Sequence, residues 1–283
     1  MLTVIESINL SAKYLEEKGI DSPRLNAELL LAHVLNCNRM SLYLSFEKPL
    51  AEEEIVLYRQ LLKRRARREP VQYILGYTEF YGIKLKVNNS VLIPRPETEL
   101  LVETIIEKYK AHNKLKILEI GTGSGNIAIA LAKNLAEVSI ISTDISPDAL
   151  KIAEENSRLN FCEDKIQFII SDAVDNAKPD RTFDVIVSNP PYISIKEYNS
   201  LEPELKFYEP KIALTDENDG FFFYNRICEN AKLLLKPGGT IFFELCFGGS
   251  KEVSEILQRN NFRDIKIKKD YQNIDRIISG IML

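Results

Sequence analysis

From Leu115 to the C-terminus, strand-length apolar runs take turns with segments of helical period, and few folds accommodate that order. "LKILEI", "VSIISTDI", "KIQFIISD", "FDVIVSN" and "GTIFFELC" read as strands. "NIAIALAKNL", "PDALKIAEENSRLN", "GFFFYNRICENAKLLL" and "SKEVSEILQRNN" read as helices, the third closed by Lys236, Pro237, Gly238 and Gly239. Such alternation predicts an α/β fold with a mostly parallel sheet covered on both faces, whose ligands bind beyond the carboxyl ends of the strands. "FRDIKIKKDY" and "IDRIISGIML" are strands in direct succession, so an antiparallel hairpin should form one edge.

The first 75 or so residues read differently. "TVIESINLSAKYLEEKGI" spaces Val4, Ile5, Ile8, Ala12 and Leu15 for one helix face and stops at Gly19. "SPRLNAELLLAHVLN" opens with a serine cap and a proline in the first turn. "AEEEIVLYRQLLKRRARRE" runs from acidic to basic, as a helix dipole favours, and Pro70 follows. "TEFYGIKLKV" then alternates, "NNS" is a turn and "VLI" is extended, which predicts a β-hairpin. The expected organisation is a helical domain over residues 1–77, a hairpin linker over 78–94 and an α/β domain over 95–283.

A net charge of −4 argues against a general nucleic-acid or anionic-membrane binder. Cys37, Cys162, Cys228 and Cys246 form no CxxC pair, and with only His33 and His112 beside them no metal site is expected. No secretory signal and no membrane-spanning run is legible, so the expected location is the cytoplasm.

"LEIGTGSGNIAIA" places Gly121, Gly123 and Gly125 between a strand and a helix. Glycine there admits backbone conformations and ligand approach that a Cβ would block. The next strand ends at Asp144, where a carboxylate can accept both ribose hydroxyl hydrogens of a nucleoside. The spacing is GxGxG, with Asn126 where a dinucleotide loop would place its last glycine, and Glu119 precedes the first glycine. An acid at that point suits a ligand with a cationic end. The combination resembles the class I S-adenosyl-L-methionine (AdoMet) methyltransferases, with a Rossmann-like seven-stranded sheet. Glu119, Gly121, Thr122, Gly123, Ser124, Gly125 and Asp144 become the candidate cofactor residues. Asp172 and Ala173, at the end of the third strand, are further candidates on the adenine side, and Asp172 also reads as a cap or turn residue.

"SNPPYIS" ends the fourth strand on the same sheet edge. Proline cannot continue a ladder but keeps its carbonyl, and the Asn189 side chain adds a second acceptor. Two acceptors aimed at one point suit an NH2 group, and Tyr192 can stack on a planar amide. Asn189, Pro190 and Tyr192 are therefore the candidate catalytic residues, with Pro191 completing the substrate contact and Asn189 also touching the cofactor. NPPY is similar to the motif of amino-methyltransferases. Together with "PRPETE" and "EPVQYILGYTEFYGIKLKV", it resembles the release factor glutamine methyltransferase family over nearly the whole chain. The resemblance implies transfer of a methyl group from AdoMet to the side-chain N5 of the GGQ glutamine in peptide chain release factors. It also implies a cytoplasmic enzyme, acting as a monomer on a protein substrate, with no membrane and no direct nucleic-acid contact.

Rival readings are a ribosomal-protein glutamine methyltransferase, a DNA or RNA amino-methyltransferase, and a module that binds AdoMet without turnover. Three local features carry two readings each. Lys63, Arg64, Arg65, Arg67 and Arg68 form either a solvated helix end or a contact for an acidic partner. Arg95, Glu97 and Glu99 either close the cofactor cleft or favour the start of the next helix. Phe80 or Tyr81 either walls the transfer pocket or serves the core.

Overall fold

The computed structural model describes residues 2–175 and 180–283. Five helices open the chain: α1 (Val4–Glu17), α2 (Pro23–Val34), α3 (Arg39–Leu44), α4 (Glu52–Ala66) and α5 (Val71–Leu75). A hairpin of β1 (Tyr77–Phe80) and β2 (Ile83–Lys86) follows, then α6 (Pro96–Tyr109), β3 (Leu115–Ile120), α7 (Asn126–Asn134), β4 (Val138–Asp144), α8 (Pro147–Leu159), β5 (Ile166–Ile170) and β6 (Phe183–Ser188). Three short helices, α9 (Ile195–Tyr198), α10 (Pro203–Tyr208) and α11 (Lys211–Leu214), lead to α12 (Phe222–Leu234), β7 (Leu235–Glu244), α13 (Ser250–Arg259), β8 (Phe262–Lys269) and β9 (Asp275–Met282). No helix of the described residues is long and apolar enough to cross a membrane.

The chain divides into two compact units. The first takes residues 2–77 together with Glu202–Tyr208, a segment whose membership the sequence does not announce. Its core gathers Leu15, Leu30, Leu31, Leu42 and Leu50. Thr3 and Glu6 form a capping box at α1, and Gly19 ends that helix with φ +68°. Ser22, expected to cap α2, instead sits in the left-handed region and makes no side-chain cap bond. Pro23, the first helical residue, itself removes one of the unpaired N–H groups of that helix start. Of the basic cluster, Arg65 is buried and donates to Asn26 Oδ1 and Glu204 Oε1, Arg64 pairs with Glu69, and Arg68 pairs with Glu204. These three therefore serve the unit's own structure.

The second unit holds a seven-stranded sheet in the order β5-β4-β3-β6-β7-β9-β8. The first five strands are parallel, and β9 runs antiparallel to both β7 and β8. The class I methyltransferase architecture read from the sequence is the one observed. Strand periodicity sorts the two cores. Leu115, Ile117, Val185, Val187 and Phe242 face α6 and α7; Leu118, Ile120, Ile186, Ile241 and Phe243 face α12 and α13. β7 starts earlier than expected: Leu235 already pairs with Phe183, and pairing resumes at Val185–Thr240 after Pro237-Gly238-Gly239 bulges out.

The hairpin differs from its expected form. Its turn is Tyr81-Gly82, both at positive φ as a tight two-residue turn demands, and "VLI" lies outside the strands found among the described residues. Asn88 does form a turn, accepting the Ser90 and Val91 N–H groups. Phe80, Ile83 and Leu85 are buried in the second unit's core and Tyr81 packs against it, which settles the two readings of Phe80 and Tyr81 in favour of the core. Asn156 of α8, fully buried, ties this hairpin to the glycine loop: it accepts the Lys86 N–H at 2.7 Å and donates to the Lys86 and Ser124 carbonyls at 3.0 and 2.9 Å. Asn156→Ala strips partners from three backbone groups and should cost about 2–3 kcal/mol in urea unfolding; a loss below the error of that measurement would count against this linkage.

Candidate functional site

The parallel register sets four residues at one level. Ile120 pairs with Thr143 on one side and Ser188 on the other, and Ser188 pairs with Phe243. One step further along each strand lie Asp144, Gly121, Asn189 and Glu244. A cleft opens over this row, lined by Gly121, Thr122, Gly123, Ser124, Asp144, Asp172, Ala173, Asn189, Pro190 and Pro191, with Arg95, Thr98, Pro210, Ile212 and Phe223.

The glycine loop hangs from β4. The Gly121 and Thr122 N–H groups donate to the Thr143 carbonyl at 2.8 and 3.0 Å, and the Gly123 N–H donates to Asp144 Oδ2 at 2.8 Å. Asp144 Oδ1 accepts from the Ser146 N–H, and burial raises this carboxyl above its usual range. Gly125 has φ +82°, and a Cβ there would stand 3.2 Å from that of Ala153. Glycine is thus required by conformation and by the packing of α7 on α8. Ser124 lines the cleft with a hydroxyl that makes no hydrogen bond among the described residues. Glu119 does not line the cleft. It lies fully buried behind the loop, where Ser142 donates to its Oε2 and the Ser142 and Thr122 hydroxyls meet at 2.5 Å. Burial pushes its carboxyl up to about 8.

Asp172 and Ala173 both reach the cleft, and Asp172 also pairs with Arg226 of α12 at 2.8 Å, a partner not apparent in the sequence. Ala173 stands at φ +52°, its carbonyl accepting from the Thr143 hydroxyl.

Asn189, Pro190 and Pro191 line the cleft, whereas Tyr192 turns inward and donates its hydroxyl to Glu244 Oε1 at 3.2 Å. Asn189 Nδ2 donates to the Thr98 hydroxyl at 3.2 Å, which donates to Glu244 Oε2 at 2.6 Å. Period 2 explains the meeting: Asn189 follows Val187 and Glu244 follows Phe242 on the face covered by α6, which carries Thr98. A second brace is the loop after α11. Asp216 accepts the Gly220 and Phe222 N–H groups, and Gly220 passes so close to Tyr192 that a Cβ would stand 2.5 Å from its carbonyl oxygen. The start of α6 has a mixed outcome. Arg95 lines the cleft and pairs with buried Glu209 at 2.6 Å, while Glu99 accepts the Tyr81 N–H at 2.7 Å.

Residues 6–76 match the PrmC N-terminal domain, and residues 111–278 match a methyltransferase domain. A release factor glutamine methyltransferase of Fusobacterium nucleatum is 43% identical over 97% of this chain and 77% of its own. Another, from Chlorobaculum tepidum, is 40% identical over 98% of this chain and 96% of its own. The chain belongs to the release factor glutamine methyltransferase family. Among solved structures, the hMettl16 catalytic domain in complex with MAT2A 3'UTR hairpin 6 superposes with a TM-score of 0.58 at 17% identity, covering 78% of this chain and 81% of its own, a likeness of fold.

In this family member the charged residues among those lining the cleft are Asp144, Asp172 and Arg95. Arg95 is paired with Glu209 and Asp172 with Arg226, which leaves Asp144 as the charge without an ion pair among the described residues, so the field in the cleft favours a cation over a pyrophosphate. Thr98, Glu244, Glu209 and Arg226 are the site residues that sequence reasoning missed. An acid ending the apolar run "FFELC" was the available signal for Glu244, since Asp144 ends its own strand in the same way.

Glu119 gives a pH signature. Its carboxyl rises from 4.5 to about 8 on folding, so the folded chain holds the proton more tightly and loses stability as pH climbs through that window. Urea unfolding of wild type and Glu119→Gln should show wild type losing ground to the variant between those pH values and holding level above them. A difference independent of pH would contradict the assignment.

Proposed function

We propose that this chain transfers a methyl group from AdoMet to the side-chain N5 of the glutamine in the GGQ motif of peptide chain release factors. The observation that carries the reading is the shared level of Asp144, Gly121 and Asn189, which supports a nucleoside site beside an amide-binding corner. Support for the substrate comes from the names borne by relatives aligned over nearly the whole chain. That substrate class puts the work in the cytoplasm.

The residues present fit AdoMet. The glycine loop leaves room where a side chain would intrude, the Ser124 hydroxyl awaits a partner, and the Asp144 oxygens each keep a lone pair for a ribose hydroxyl. Gly121 through Gly125 would cradle the cofactor, and Asp172 and Ala173 would flank its adenine. Glu119 acts from behind the loop, bracing Ser142 and Thr122. Bound there, AdoMet supplies a methyl group on a sulfonium that departs as a neutral thioether.

Asn189 Oδ1 and the Pro190 carbonyl accept the two N–H bonds of the glutamine carboxamide, which turns its nitrogen toward the methyl donor and raises the electron density on it. Pro191 completes the contact and Tyr192 anchors the corner through Glu244. A strong base is not needed, because the nitrogen becomes acidic as its bond to carbon forms and releases one proton to water or to these acceptors. The chain's main contribution is alignment, which is worth several kcal/mol of barrier.

Mass spectrometry of a release factor incubated with enzyme and AdoMet should find one added methyl on the GGQ glutamine. Methylation of a ribosomal-protein glutamine or of nucleic acid instead would overturn the substrate assignment. Asn189→Ala should lower kcat about a hundredfold with AdoMet affinity intact. Asp144→Ala should weaken AdoMet binding at least about tenfold in calorimetry, having lost charge-assisted hydrogen bonds. An Asp144→Ala enzyme that binds AdoMet normally would remove the ribose assignment.

A further inference from the structure

We infer that buried Glu244, acting through the Thr98 hydroxyl, is the positioning group that decides which end of the Asn189 amide faces the substrate. The inference rests on the glutamine-methyltransferase reading and deepens it. The two ends of an asparagine amide are nearly equal in size, so sterics alone do not choose between them. The choice matters here. A carboxamide NH2 presents donors, and it is held only if Asn189 offers its oxygen. With the amide reversed, donor meets donor and the nucleophile is repelled.

The hydrogen-bond polarity resolves this. Thr98 has a single proton, and it goes to Glu244 Oε2 at 2.6 Å. Toward Asn189 the Thr98 oxygen can then only accept, so Nδ2 turns to it at 3.2 Å and Oδ1 is left for the cleft. The relay begins at a carboxyl group that accepts on both of its oxygens. The same group takes the Tyr192 hydroxyl on its other oxygen, so one carboxylate holds both ends of Asn-Pro-Pro-Tyr. Glu244 is itself fixed from α12 by Tyr224, whose hydroxyl donates to the Glu244 carbonyl at 2.7 Å. Glu244 is 1% exposed and has no salt bridge among the described residues. Burying an acid without a cation is costly, and a core position at the end of a sheet strand would be filled more stably by an apolar side chain. Fixing the amide is a use that repays that cost. Thr98 is thus the residue through which the "PETE" segment serves the site, by a hydroxyl and not by an acid.

Thr98→Val keeps the shape and removes the relay; Thr98→Ser keeps the relay. With release factor as substrate, valine should lower kcat at least about tenfold while AdoMet affinity by calorimetry stays within about twofold of wild type, and serine should recover most of the loss. If the valine variant does not fold, Thr98→Val/Glu244→Met, which leaves no buried carboxylate unpartnered, takes its place with the same expectation. Wild-type kcat in the valine enzyme, an equal loss in serine and valine, or AdoMet affinity falling in step with kcat would overturn the inference. Absence of glutamine methylation by the wild-type enzyme would instead strike at the functional reading on which it rests.

Discussion

The parallel ladder joining β4, β3, β6 and β7 is the constraint from which the site follows. One step beyond the row Thr143, Ile120, Ser188 and Phe243 stand an acid, a glycine, an asparagine before two prolines, and a second acid. Parallel pairing brings these ends to a common level without further instruction. A slip of one residue in any of the four strands would turn its inward side chains to the opposite core. The burial that fixes the register, with Ile117, Val187 and Phe242 on one face and Ile120, Ile186 and Phe243 on the other, therefore also fixes the chemistry at the edge.

Two carboxyl groups lie fully buried on the face that α6 and α7 cover, and burial raises both above the usual carboxylate range. Each is met by hydroxyls and, among the described residues, by no ion pair: Ser142 reaches Glu119, and Thr98 and Tyr192 reach Glu244. Hydroxyls suit this work because they pass hydrogen-bond direction onward, accepting at one side what they donate at the other. Glu119 stiffens the glycine loop and Glu244 stiffens the Asn-Pro corner. The cleft is thus flanked by two polar braces, each anchored on an acid that is not among the residues lining it.

Most of the fold was legible because its signals are local. Strand and helix periods, the glycines at the β3–α7 turn and the proline stop after β6 each act within a few residues, and sheet class follows from their order. The hairpin turn was misplaced because Tyr81-Gly82 lies inside an alternating run, and only the backbone reveals that a tyrosine there adopts positive φ. Site residues from single strand ends were readable in the same way. Thr98, Glu209 and Arg226 were not, because each gains meaning only from a partner far along the chain: Glu244, Arg95 and Asp172. Thr98 in particular looks like an ordinary first-turn residue until the sheet places an acid beneath it. Tyr192 shows the converse, a residue singled out in the sequence for the cleft whose hydroxyl the fold directs to Glu244.

The hairpin carries a lesson for dissecting this polypeptide. Phe80, Ile83 and Leu85 complete the apolar interior of the sheet-bearing half, although they precede its first central strand by some thirty positions. A fragment begun at the proline-rich segment after them would leave apolar side chains of that interior bare to solvent and would be prone to clump. A cut that keeps this interior whole therefore falls ahead of Thr78, where the sheet-bearing unit begins.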